Sequence, residues 1–459
     1  MNSEKVLPFG KGLGWEFIFF IGIGGIGMSA IARYFVSIGK AVAGYDKTAS
    51  KITEELQKAG VVIHFEDDIK HIPIAFLNKE QTLVVYTPAI PENHAEYNYF
   101  VNNNFTILKR AEILGEITNT SFCLAVAGTH GKTTTSAILG HIMATENATS
   151  FLGGIAENYN SNLILGADKV SVVEADEFDR SFLKLSPNIA CVTSMDADHL
   201  DIYKNPEALT TSFQEFSNKV TGALIVAKGI PLKGLTYAIE EAADYTAQNL
   251  KIKNGTYIFD VKTPRSKIKD IAFNLPGKHN VMNALAAFAM ADVYGVDLAI
   301  IKERLQSFKG VKRRFSYKIK TENFVLIDDY AHHPTEINAV ESSVREMYPN
   351  QKVLVVFQPH LFSRTQDFAN DFATALQKFD EVILLDIYPA REKPIEGVTS
   401  DLLLNKMQHK QKKIVKKENL IKDIKNSVAN VVVMLGAGDI GALTNTVAQA
   451  LINSDRYES

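Results

Sequence analysis

Apolar and polar positions along this chain fall into repeating blocks. Glu16-Phe-Ile-Phe-Phe-Ile21 is a nearly unbroken apolar run, and Met28 to Ser37 then spaces its apolar residues as a helix does. Val42-Ala-Gly-Tyr-Asp46 predicts a second strand and Leu83-Val-Val-Tyr86 another. Thr106-Ile-Leu108 predicts a short strand leading into a helix from Arg110 to Glu116. Further apolar runs lie at 122–127, 169–173, 189–193, 324–328, 352–357, 381–386 and 431–435. Between Ala223 and Ile271 the alternation is weak, as in peripheral strands. Apolar strands alternating with helical segments predict an α/β fold with largely parallel sheets. Breaks in the pattern divide the chain into three expected domains, 1–119, 120–311 and 312–459.

Several strands end in residues that carry chemistry. Phe122-Cys-Leu-Ala-Val-Ala127 runs into Gly128-Thr129-His130-Gly131-Lys132-Thr133-Thr134, and a helical stretch follows. Strand, glycine turn, Lys-Thr and helix is the grammar of a phosphate-binding loop, here with two residues between the glycines instead of four. Gly128 and Gly131 let backbone N–H groups curl round an anion at the positive end of the helix. Lys132 is placed to reach terminal phosphates, and the Thr133 hydroxyl to ligate Mg2+. A plain Gly-Lys turn is the bland alternative, but Gly, Lys and Thr all fall where a phosphate needs them. This predicts a P-loop ATPase-type central domain.

Two acidic clusters follow apolar strands in the same segment: Glu174-Ala-Asp-Glu-Phe-Asp179 and Asp196-Ala-Asp-His-Leu-Asp201. Ligand sites in parallel sheets lie outside the carboxyl ends of strands, so these acids beside a P-loop predict a metal–phosphate site. A solvated acidic loop is the ordinary fate of such runs. Asn280 and Asn283, one helical turn apart, face the same way and either read an adenine edge or cap a helix.

In the first domain Gly22, Gly24, Gly25 and Gly27 give a GxGxxG turn, and Asp46 lies about twenty residues on. The domain is read as Rossmann-like, with NAD the default nucleotide on this motif alone. The third domain is also Rossmann-like in its alternation. Its Gly436, Gly438 and Gly441 spell the same motif, but too little chain follows for a dinucleotide domain, which favours a packing turn. Tyr330, His332, His333, His360 and Arg364 stand at its strand ends.

Composition narrows the classes. A net charge of −3 over 459 residues gives no basic surface for nucleic acid. No apolar run spans a bilayer, and Phe17 to Ile23 reads as a strand instead of a signal peptide. The two cysteines, Cys123 and Cys191, sit in apolar runs and are expected reduced, in keeping with a cytoplasmic protein.

Together these stretches resemble the Mur ligase family over nearly the whole chain. The resemblance rests on Gly22 to Met28, Gly128 to Thr134, Glu174 to Glu177, Asp198-His199, His279-Asn280 with Asn283, Arg313 to Phe315, Asp328 to Thr335 and Gly436 to Gly441. That family uses the shortened P-loop. It implies that the first domain binds a UDP-sugar instead of NAD, through Gly22, Gly24, Gly25, Gly27 and Asp46. The implied reaction is ATP-dependent amide formation between L-alanine and the lactyl carboxylate of UDP-N-acetylmuramate, through an acyl phosphate. Lys132 would stabilise the γ-phosphoryl, and Thr133, Glu174 and His199 would hold Mg2+, with Mn2+ expected to substitute. Asn280 and Asn283 would face adenine, and Arg314 and Asp329 would reach ATP. Tyr330, His332, His360 and Arg364 would serve the alanine and acyl-phosphate side. Other family members place a carbamylated Lys near the second metal; Pro206 to Phe216 has none, as in the alanine-adding branch. Many alanine-adding members have Arg where this chain has Leu361, which leaves Arg364 to grip the alanine carboxylate. The expected state is a monomer or weak dimer. Rival readings are a ligase of the same family that joins a murein tripeptide to the sugar, an NAD-dependent oxidoreductase, and a nucleotide-binding scaffold or transport ATPase.

Overall fold

The computed structural model describes residues 14–196, 206–253, 256–390, 392–408 and 410–452. The first sheet has five parallel strands: β1 (Phe17–Ile21), β2 (Ala41–Tyr45), β3 (Val62–His64), β4 (Thr82–Tyr86) and β5 (Thr106–Lys109). Their spatial order is β3-β2-β1-β4-β5. The order reverses at β1, so the crevice for a ligand opens beyond its carboxyl end, at the first glycine turn. β1 is covered on both faces. Ile18 and Phe20 join one buried cluster with Ile31 and Phe35, while Phe19 and Ile21 join another with Phe76 and Phe100. That two-sided burial is why its sequence shows no polar alternation.

The central sheet has ten strands. Its heart is β6 (Phe122–Ala127), β7 (Ala148–Ala156), β8 (Ser161–Ile164), β9 (Ala167–Glu174) and β10 (Ile189–Val192). β6 lies between β9 and β10 and runs parallel to both. The carboxyl ends of these three strands therefore deliver the P-loop, Glu174 and Thr193 to one place. Five further strands between Ala223 and Phe273 extend the sheet beyond β10.

The third sheet runs, in space, Ser316–Lys320, Val325–Asp329, Val431–Leu435, Val353–Phe357, Glu381–Leu384 and Lys412–Ile414. Only the first of these is antiparallel to its neighbour. Val431, Val433 and Leu435 face one core and Val432 and Met434 the other. Residues up to Lys251, Ile258–Phe273 and Val281–Lys309 form one compact unit; Ile252–Tyr257, Asn274–Asn280 and the residues from Gly310 onward form a second. Among the described residues no helix is long and apolar enough to cross a membrane.

Candidate active site

The P-loop is built by two glycines that nothing else could replace. Gly128 has φ of 132° and Gly131 of 82°, values that side chains rarely adopt. A Cβ on Gly128 would lie 2.2 Å from Thr193 Oγ1, and one on Gly131 2.6 Å from Asn283 Oδ1. The helix Lys132–Met143 starts immediately after Gly131, so its positive end faces the loop. The loop is tied down from the end of β10. His130 N donates to Ser194 Oγ at 2.7 Å, and Asp196 N donates to Thr129 Oγ1 at 3.0 Å. The Thr193 hydroxyl donates to His130 O. The backbone of His130 and the Thr129 hydroxyl thus help fix the shape of the loop.

Lys132 Nζ donates to Glu177 Oε1 at 2.8 Å and to Gly128 O at 2.7 Å. Burial pushes the ammonium pKa down, but the carboxylates of Glu177, Asp176 and Glu174 outweigh it and hold Lys132 above its ordinary value. Lys132 is therefore a permanent cation at the loop. Thr133 Oγ1 donates to Glu174 Oε1 at 3.1 Å, and Gly153 N donates to Glu174 Oε2 at 3.1 Å. A hydroxyl and an aimed carboxylate form an all-oxygen donor pair, which suits a hard cation such as Mg2+. Thr134 is buried behind them. His199 and Asp198 lie outside the described residues.

The two asparagines do different work. Asn280 Nδ2 donates to Pro276 O at 2.6 Å and braces the start of its helix. Asn283 Oδ1 accepts from Thr135 Oγ1 at 3.2 Å and packs on Gly131.

The first glycine turn is closed by the predicted acid. Gly24 N donates to Asp46 Oδ2 at 2.7 Å, and Thr48 N to Asp46 Oδ1 at 3.1 Å. Gly22 needs φ of 86°. Gly25 precedes the helix Ile26–Ser37 as its N-cap, and Gly27 lies in that helix's first turn.

The second unit gathers its own cluster. Asp329 is buried and accepts from Phe315 N at 2.6 Å and Ala331 N at 2.7 Å. Burial raises its carboxyl to about 6 against the opposing charge of Arg314. The Arg314 guanidinium stands 5.3 Å over the Tyr330 ring. His332 Nδ1 lies 3.3 Å from Glu336 Oε2, and its ring is 5.9 Å from that of His360. Burial pushes the His332 imidazole pKa down, only partly offset by Glu336, and Arg364 adds to the fall. Leu361 takes φ of 70°, rare for a branched side chain, at the start of the short helix carrying Arg364. The turn at Gly436–Gly441 is a packing device: a Cβ on Gly441 would lie 2.2 Å from Arg313 Cζ.

The sequence gives no site role to Gly153, Thr193, Ser194 or Arg110. Asp176 and Glu177 belong to the acidic cluster it places at the site, but nothing in the sequence pairs Glu177 with Lys132 or Asp176 with Arg110. Gly153 lies in a long apolar strand, without any motif.

Three family models match the chain: Mur ligase family, catalytic domain, over residues 17–121; Mur ligase middle domain over 126–291; and Mur ligase, glutamate ligase domain, over 313–444. The chain is 60% identical over 438 residues to the UDP-N-acetylmuramate–L-alanine ligase of Flavobacterium psychrophilum, which spans 95% of this chain and 98% of that one. It is 47% identical to the enzyme of the same name from Parabacteroides distasonis, over 96% and 98% of the two chains. The solved structure of UDP-N-acetylmuramate-alanine ligase MurC from Thermotoga maritima superposes with a TM-score of 0.82 at 29% identity, covering 95% of this chain and 99% of the other. A murein peptide ligase from Psychrobacter arcticus shares the fold, with a TM-score of 0.69 at 22% identity over 96% and 99%.

Proposed function

Because this chain belongs to the Mur ligase family, we propose that it joins L-alanine to the lactyl carboxylate of UDP-N-acetylmuramate with hydrolysis of ATP. The observation that carries this reading is near-full-length identity to alanine-adding enzymes, 60% over 438 residues. The P-loop geometry supplies the chemistry.

A carboxylate resists attack because oxide would have to leave. Moving the γ-phosphoryl of ATP onto it gives an acyl phosphate, from which phosphate leaves when the alanine amine attacks. Every species is anionic, so the site must hold the reactants in line and offset charge. Lys132, kept protonated by three carboxylates, supplies that charge at the loop. The glycine-shaped loop presents its N–H groups to the phosphates. Mg2+, when bound by Thr133 and Glu174, supplies further positive charge to the transferring phosphoryl. His199 is proposed as an additional metal ligand on family resemblance. Asp46 fixes the first glycine turn so that the UDP diphosphate can approach Gly24 and Gly25. Asn283, packed on Gly131, is proposed with Asn280 to face adenine. Arg314 and Asp329 are proposed as ATP contacts. Tyr330, His332, His360 and Arg364 are proposed to take the amino acid, Arg364 holding its carboxylate and the low-pKa His332 standing near the amine.

The test is phosphate release with ATP, UDP-N-acetylmuramate and a panel of amino acids and peptides. L-alanine should support turnover. Turnover with a murein tripeptide and none with alanine would overturn the assignment.

A further inference from the structure

We propose that Arg110 is a positioning residue for the diphosphate of the sugar nucleotide. This rests on the sugar-nucleotide reading above. Arg110 heads the helix Arg110–Thr118, directly after β5. Its guanidinium occupies the room left by Gly27: a Cβ there would lie 2.3 Å from Arg110 Nη1. Gly27 belongs to the first turn of Ile26–Ser37, the helix that follows the glycine turn. The guanidinium thus stands beside the first turn of that helix, whose N–H groups have no partner within the helix. Two positive features side by side favour a doubly charged anion.

Arg110 also borders a cavity of about 110 Å³ that runs from Gly27 to Glu174, with Ile31, Leu114 and Phe151 as apolar walls. The cavity joins the glycine turn to the carboxylate proposed to hold the metal. An acceptor with a diphosphate at one end and a reacting carboxylate at the other has to pass Arg110. The guanidinium's present partner is Asp176, at 2.9 Å from Nη2 to Oδ2. The two side chains remain 29% and 33% exposed, so the pair is open to exchange instead of locked in the core. A diphosphate carries more charge than one carboxylate and takes the guanidinium from Asp176. Asp176 then parks Arg110 in position between turnovers.

The experiment is calorimetric titration of the full chain, without ATP, with UDP and with UDP-N-acetylmuramate. Arg110→Ala should weaken both about 10- to 100-fold, the range for a lost charge-assisted contact. ADP affinity should be unchanged, which also shows that the variant is folded. Gly27→Ala, which pushes the guanidinium aside, should weaken UDP as well, and adding it to Arg110→Ala should make little further difference. Asp176→Asn should leave UDP affinity unchanged or tighter, because the competing carboxylate is gone. If Arg110→Ala binds UDP as tightly as the parent, the proposal is overturned. It is also overturned if Asp176→Asn loses as much as Arg110→Ala, since the pair would then be a strut. Failure of the parent chain to bind either ligand would instead overturn the sugar-nucleotide reading, and this inference with it.

Discussion

Lys132 Nζ lies 2.8 Å from Glu177 Oε1, and the Glu177 side chain is wholly shielded from solvent. The cation proposed for the γ-phosphoryl therefore also neutralises a buried carboxylate. The two roles separate experimentally. Lys132→Ala should lower kcat by about 10²-fold or more, the usual consequence of removing one electrostatic stabiliser. It should also lower thermal stability, because breaking a buried pair from one side costs roughly 3–5 kcal/mol. Lys132→Ala/Glu177→Gln should recover much of the stability and none of the turnover. Melting curves and phosphate release on both variants check this. A double variant as unstable as the single one would show that Glu177 does not depend on Lys132.

Gly153 offers a test of the metal pair without touching either donor. A Cβ there would lie 2.3 Å from Glu174 Oε2 and 2.5 Å from Oε1. Gly153→Ala must push the carboxylate away from Thr133. The Mg2+ concentration needed for half-maximal turnover should rise roughly 10-fold, the low end of the change expected when a supporting group misplaces a ligand. Nucleotide affinity measured without metal should hold. An unchanged Mg2+ curve would remove Glu174 from the metal site.

Gly153 also shows where sequence reading stops. The P-loop was legible because strand, glycines, Lys132 and Thr133 are contiguous and each has a fixed duty. Glu174 was legible because an acid directly after an apolar strand lies at a sheet's carboxyl edge. Asp46 was legible as an acid at the first glycine turn by its distance from the glycines, and what the structure shows it doing there is accepting from Gly24 N. Contacts between segments far apart in sequence left no such mark. Gly153 meets Glu174 only because β7 and β9 pair, and Arg110 meets Gly27 only because β5 ends beside the first helix. Those relationships are set by strand order, which periodicity does not specify. The asparagine pair was ambiguous for another reason. Equal spacing on a helix gives a shared face, but Asn280 at the helix start is drawn to the Pro276 carbonyl.

Gly24→Val tests the first glycine turn. The added Cβ would lie 2.8 Å from Asp46 Oδ2 and 2.9 Å from Thr53 Cγ2. It would strain the bond by which Asp46 holds Gly24 N and block the approach of a diphosphate. KM for UDP-N-acetylmuramate should rise at least 10-fold, about 1.4 kcal/mol, while ADP binding stays as in the parent. Loss of ADP affinity with an unchanged KM for the sugar would reverse the assignment of the two glycine loops.

His141 ties stability to pH within the P-loop helix. It is buried, with Nδ1 2.8 Å from Tyr159 OH and Nε2 3.0 Å from Ser307 Oγ. Burial, helped by Arg304, lowers its pKa to about 4. In the unfolded chain the same imidazole titrates near 6.5. The folded form therefore refuses a proton that the unfolded form accepts between these values. Across that window the unfolded state binds more protons, so stability rises with pH and falls on acidification. The effect is absent above about pH 6.5 and grows as pH drops toward 4. Its full size is about 3 kcal/mol, from 1.36 kcal/mol per pKa unit. His141→Gln keeps polar atoms beside Tyr159 and Ser307 but cannot titrate. Its stability at neutral pH should be somewhat lower than the parent's. Its loss of stability between pH 6.5 and 4.5 should be shallower by most of that amount. Denaturant titrations of both proteins at half-unit pH intervals measure the difference in slope. Parallel curves would mean that His141 is protonated in the folded state, and the buried neutral imidazole on this helix would have to be abandoned.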